Sequence, residues 1–144
     1  MALDLWNFDE RKLKSTTTDL PNNILKEQAE LLAKKTGDMI YGRVTNMTFF
    51  PQDKGVKYKL ASIFDAVVPS LDNYSYNLLI LYSKPESDYP IAITVGSNMI
   101  DDTEDFRPMY ECNNRNEFIE ALKEILSSEE INNNIQVLYS KAVF

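Results

Sequence analysis

Histidine is absent from the 144 residues, and Cys112 is the only cysteine. Histidine is the usual general base near neutral pH and the commonest metal ligand, so Ser–His and Cys–His nucleophile pairs and imidazole metal sites are excluded. A lone cysteine forms neither a thiolate cluster nor an intrachain disulfide, and with no histidine to activate it the thiol reads as packed or idle. Glycine is equally sparse. Gly37, Gly42, Gly55 and Gly96 stand far apart and build no phosphate-cradling loop. No serine has a lysine three residues on, which removes the Ser-x-x-Lys pattern as well.

Long apolar runs are missing too. The longest, Leu78 to Leu81, is far shorter than the ~20 residues a bilayer demands. The segment from Met1 to Glu10 has no basic region followed by an apolar one, so it does not read as a secretory signal. Together with the single cysteine, this makes a reducing, cytoplasmic location the expectation.

What is present suits a globular domain. Hydrophobic residues make up 44% and charged residues 26%, ordinary for a folded chain. The formal net charge is −7. That field opposes nucleic acid and favours a basic partner. The best basic patch is Lys54, Lys57, Tyr58 and Lys59, with Arg43 near it. Its lysines alternate away from the tyrosine instead of sharing a stacking face, and strand lysines more often guard an edge.

Residues 1–19 read as a leader, docked or partly flexible, with Leu3, Leu5, Trp6 and Phe8 as its apolar side chains and Trp6 the one expected to dock on the body. Residues 20–144 read as one α+β domain. The first helix starts near Pro21, capped by Asp19 or Asn22, and ends at Gly37. Its stripe of Ile24, Leu25, Ala29, Leu31 and Leu32 must cover a sheet. Four strand-like runs follow, at 39–50, 56–68, 74–82 and 89–95. A bulge is expected over Ala61 to Phe64, where alternation blurs. Short loops between the runs make an antiparallel meander.

Asn114 with Glu117 three residues on spells a capping box for a second helix, whose buried stripe is Phe118, Ile119, Leu122, Ile125 and Leu126. After a break at Ser127 to Asn134, Ile135, Val137 and Tyr139 alternate as a short C-terminal strand or a docked tail. The predicted fold is a single antiparallel sheet, a four-strand meander plus that last strand, with two helices packed on one face. Alternation puts Tyr74, Tyr76, Leu78, Ile80 and Tyr82 on one side of the central strand.

Three functional readings follow. The first is a non-enzymatic protein-binding or regulatory module, of the kind that neutralises a basic partner as an immunity protein does. Its interface candidates are Tyr74, Tyr76, Tyr82 and Tyr89, since tyrosine is enriched at interfaces. It needs no cofactor and leaves homo-oligomerisation open. The second is a carboxylate-based divalent-metal domain or enzyme using Asp101, Asp102, Glu104 and Asp105. The 101–105 spacing starts like a calcium loop, yet Phe106 stands where the loop needs glycine and Cys112 where it needs glutamate. The third is a small-molecule domain with a tyrosine-lined pocket under the helices. The asparagines clustered at 113–116 and 132–134 suggest an AT-rich, bacterial genome and carry no functional weight.

Overall fold

A computed structural model describes residues 3–15, 20–48, 57–96 and 108–143. It contains α1 (Glu10–Ser15), α2 (Pro21–Lys35), β1 (Tyr41–Thr48), β2 (Leu60–Val68), β3 (Tyr74–Lys84), β4 (Ser87–Thr94), β5 (Tyr110–Cys112), α3 (Arg115–Leu126) and α4 (Glu129–Ala142). The strands form one antiparallel sheet in the order β1-β2-β3-β4-β5. The fold is therefore the α+β meander that the sequence predicts.

Helix α2 begins with Pro21 in its first turn and ends with Lys34 and Lys35, which favour the negative end of the helix dipole. Leu20 precedes it without a side-chain cap, while Asp19 lies outside the described residues. Asn22 sits inside the helix, with its Oδ1 2.7 Å from Ser62 Oγ on β2. At the far end Gly37 takes φ 58°, the left-handed closure expected of it. Buried Thr36 donates to Leu32 O at 2.9 Å and accepts from Ile40 N at 3.1 Å, so one hydroxyl joins the end of the helix to the start of β1.

The helix then crosses β1 at very short range. A Cβ added to Gly42 would lie 2.5 Å from Ala29 Cα and 2.9 Å from the Phe64 ring. Only glycine permits that approach. It allows Ile24, Leu25 and Ala29 to enter the same core as Phe64, Leu79 and Leu81.

Strand β3 departs from simple alternation. Phe64 pairs with Leu79, but Asp65 pairs with Asn77, so Leu78 is an extra residue opposite β2. The bulge expected within Ala61 to Phe64 thus falls one rung later, with its extra residue on the neighbouring strand. Its effect is to switch faces. Leu78 and Leu79 both enter the helix-covered core, and Tyr76 packs against it, whereas Ile80 and Tyr82 join Tyr58, Ala61 and Ala92 on the opposite face. The single tyrosine-bearing face predicted for β3 is therefore divided. Asn77 fixes the switch by donating to Asp65 Oδ1 at 3.0 Å, and Arg43 donates to Asp65 Oδ2 at 3.1 Å.

The C-terminal region corrects a second expectation. Ile135, Val137 and Tyr139 belong to α4 and not to a strand. Ser128 caps the helix, Glu129 and Glu130 fill its first turn, and Lys141 lies in its last. Ile131, Ile135, Leu138 and Ala142 recur at helical spacing and meet the core. Three helices, not two, therefore cover one face, and the fifth strand is β5, ahead of α3. Trp6, expected to dock, is 74% exposed with its ring 5.4 Å from Phe8.

Helix α3 follows its sequence pattern closely. Glu117 N donates to Asn114 Oδ1 at 2.9 Å, and the Asn114 amide returns to Glu117 Oε2 at 3.3 Å. Phe118, Leu122 and Ile125 are buried. Leu122→Ala is expected to lose about 2–5 kcal/mol of stability and Glu120→Ala less than about 0.5 kcal/mol, measured by chemical denaturation. Similar losses from both would show a differently oriented helix. Gly42→Ala should cost roughly 1–3 kcal/mol, because the added methyl meets backbone and has nowhere to relax. An unchanged denaturation midpoint would refute the close crossing of α2 over β1.

Candidate functional site

The acidic candidates Asp101, Asp102, Glu104 and Asp105 lie outside the described residues. Among the described residues no three histidine, cysteine or acidic side chains gather closely enough to hold a metal ion. The four tyrosine candidates are dispersed. Tyr74 and Tyr76 share a cleft of about 560 Å³ with α4, where Asn134 Nδ2 donates to Tyr76 Oη at 2.8 Å. Tyr82 is on the other face of the sheet, 3.2 Å from Thr94 Oγ1. Tyr89 is half-buried on β4 against the helix-side core. Of the basic patch, Lys57 lies 5.6 Å from the Tyr58 ring centre, Arg43 is engaged with Asp65, and Lys54 is outside the described residues.

Acidic side chains do converge elsewhere, along α3 and the last strand. Strand β5 is the outermost described strand beside β4, pairing Ile91 with Cys112, Ala92 with Glu111 and Ile93 with Tyr110. Helix α3 returns directly over it. Because Phe118, Ala121, Leu122 and Ile125 point into the core, Glu117, Glu120 and Glu124 fall at i, i+3 and i+7 on the flank above β5. With Tyr110, Glu111 and Cys112 they line a shallow groove of about 660 Å³, in which Lys123 is the basic member. Glu117 both caps the helix and charges the groove.

The neighbouring ionisable groups register this negative charge. Burial pushes the Cys112 thiol up, and the Glu117 carboxylate pushes it further. Burial raises Tyr110, followed by the charge of Glu124 and its hydrogen bond. Tyr58 Oη stands 3.3 Å from Glu111 Oε1, and its pKa is raised to about 12, first by burial and then by Glu111. Three groups thus each feel a different glutamate of one groove. Cys112 is also 2% exposed, so its thiol stays protonated and shielded, the opposite of an activated nucleophile. The groove offers four carboxylates and the Tyr110 phenol, the chemistry that accepts lysine and arginine side chains.

A second concavity, of about 780 Å³, separates α2 from α4. Phe64 and Leu78 form its floor, and Leu31, Leu32, Ile131 and Ile135 its walls, with Gln28, Lys35 and Gln136 among its polar lining residues. Tyr139 is the single tyrosine lining it. The tyrosine-lined pocket expected beneath the helices is therefore split between this mostly aliphatic groove and the Tyr74–Tyr76 cleft.

The i, i+3, i+7 spacing of Glu117, Glu120 and Glu124 is present in the sequence, where it reads only as the wet side of a helix. The approach of Tyr58 to Glu111, 53 residues apart, has no local signal. It does have a measurable consequence. The fold keeps Tyr58 neutral up to about pH 12, whereas the unfolded chain ionises it near 10.0. The stability this contributes is fully present below pH 10.0 and is lost as pH rises through the window to about 12. Thermal melts should fall across that window, and Tyr58→Phe should flatten part of the fall. An equally steep fall in Tyr58→Phe would separate Tyr58 from alkaline unfolding. No family model, curated protein or solved structure matches the chain, so the chemistry of these residues is the guide to function.

Proposed function

We propose that this chain is a non-enzymatic protein-binding module that docks a basic partner in the acidic groove between α3 and β5. One observation carries the reading: Glu111, Glu117, Glu120 and Glu124 surround one groove, and Tyr58, Tyr110 and Cys112 beside it have their pKa values raised by those carboxylates as well as by burial. The net charge of −7 adds long-range attraction for a cationic surface. The groove then supplies the short-range acceptors that fix where the cation lands. The shielded thiol and the absence of histidine supply no nucleophile or base of the common kinds and agree with a binding role.

Such a module works by complementarity. Lysine and arginine side chains of the partner would lie along α3 and pair with carboxylates one helical turn apart. Tyr110 adds an aromatic edge beside them, suited to stacking a guanidinium. Rim charges of this sort govern encounter rate and salt sensitivity more than final affinity.

An oligo-arginine peptide provides the test. Glu120→Lys combined with Glu124→Lys should weaken its binding by roughly tenfold or more, and the affinity of the unmodified chain should fall with added salt. Glu27→Lys combined with Glu30→Lys makes the same change in net charge on exposed positions of α2 and should leave most of the affinity intact. Calorimetry or fluorescence anisotropy reads both. Equal losses from the two double variants would mean that net charge alone attracts the peptide, and the groove reading would fail.

A further inference from the structure

Independently of the acidic groove, an apolar arm and an apolar socket occur on the same chain and do not meet among the described residues. Residues 3–15 carry Leu3 at 81% exposed, Leu5 at 82%, Trp6 at 74% and Phe8 at 46%. Soluble proteins rarely leave so much contiguous apolar surface without an interaction to serve. The arm has a shape of its own. Asp4 Oδ1 accepts from Trp6 N at 3.0 Å, Asp9 Oδ1 accepts from Lys12 N at 2.8 Å to start α1, and the Trp6 and Phe8 rings sit 5.4 Å apart. Local order of this kind lowers the entropy lost on binding.

The socket is the groove between α2 and α4. Its volume of about 780 Å³ lies within the range of pockets that take large apolar groups. Leu31, on its wall, is 42% exposed. Phe64 and Leu78 close the bottom, and Gln28, Lys35 and Gln136 supply the polar rim of a specific interface.

We infer that two copies of this chain exchange arms, the Leu3–Phe8 segment of each filling the α2–α4 groove of the other. The occupant follows from three observations. Arm and groove belong to the same chain, which suits a two-fold, self-complementary interface. Among the described residues of one chain the arm stands exposed and the groove open, which leaves each available to a second copy. The area is also sufficient. Trp6, with most of the roughly 150–250 Å² of an aromatic side chain still exposed, the uncovered half of Phe8, the two leucines and the groove walls they cover, doubled by symmetry, reach the ~1,200–2,000 Å² of a stable interface.

Trp6 is the only tryptophan, so its emission reports the arm directly. A dilution series of the full chain, followed by light-scattering mass and acrylamide quenching, should show a dimer with blue-shifted, protected Trp6. On dilution it should become a monomer with red-shifted, quenchable Trp6. Leu31→Asp alters an exposed side chain and should leave the circular dichroism intact while abolishing both the dimer and the protection. Trp6→Ser, on an arm whose side chains stand exposed, should weaken the dimer by roughly 30-fold or more, as loss of a tryptophan anchor does. Mixing the Leu31→Asp chain, which keeps its arm, with the Trp6→Ser chain, which keeps its groove, should restore Trp6 protection. Three results would each overturn the inference. They are a monomer with exposed Trp6 at every concentration, a monomer with protected Trp6 (the arm in its own groove), and a dimer that Leu31→Asp does not disturb.

Discussion

The arrangement of the molecule depends on one extra residue in β3. Leu78 has no partner of its own on β2, and the strand changes faces there. Below the bulge Tyr76 packs toward the helices. Above it Leu79 and Leu81 take over the helix-side core, while Ile80 and Tyr82 line the reverse of the sheet. An unbroken strand would have set Ile80 and Tyr82 beneath the helices and left Leu79 and Leu81 on the reverse face. Asp65 is nearly buried, and it takes hydrogen bonds from both Asn77 and Arg43. A buried carboxylate needs such donors, so the same contacts that satisfy Asp65 also hold the bulge at its rung.

Both grooves are arranged around that core. The bulge delivers Leu78 to the floor of the α2–α4 groove, and the close crossing of α2 at Gly42 sets the height of its wall. The acidic groove depends on α3 instead, whose inward stripe obliges the glutamates to face the flank above β5. One concavity is apolar and one is anionic, and they adjoin at Ser127, between α3 and α4.

Much of this was legible in the sequence because the signals were local. Asn114 and Glu117 announced α3, the spacing of Phe118, Leu122 and Ile125 gave its buried side, and Pro21 and Gly37 bracketed α2. Short loops implied the antiparallel order of the strands. The errors arose where two periods compete. Ile135, Val137 and Tyr139 alternate like a strand, but Ile131, Ile135, Leu138 and Ala142 repeat like a helix, and a run that short cannot be decided by alternation alone. The longer repeat and the Ser128 cap prevailed. The tyrosine face failed because a bulge of one residue inverts every later position while leaving little trace in composition. The acidic groove went unseen because strand and helix contribute to it together, and only the turn from β5 into α3 brings them side by side.

The brevity of β5 bears on how the molecule behaves in a crowded solution. A sheet that ends in a long, flat strand offers a template on which further chains can polymerise. Here the outermost described strand on that side runs only from Tyr110 to Cys112, too short to nucleate a growing ladder, and Glu111 places a charge at its middle. At the opposite margin β1 carries Arg43 among its residues. The sheet is thus guarded by shortness and charge at the β5 margin, whereas Arg43, the one charged residue of β1, is engaged with Asp65.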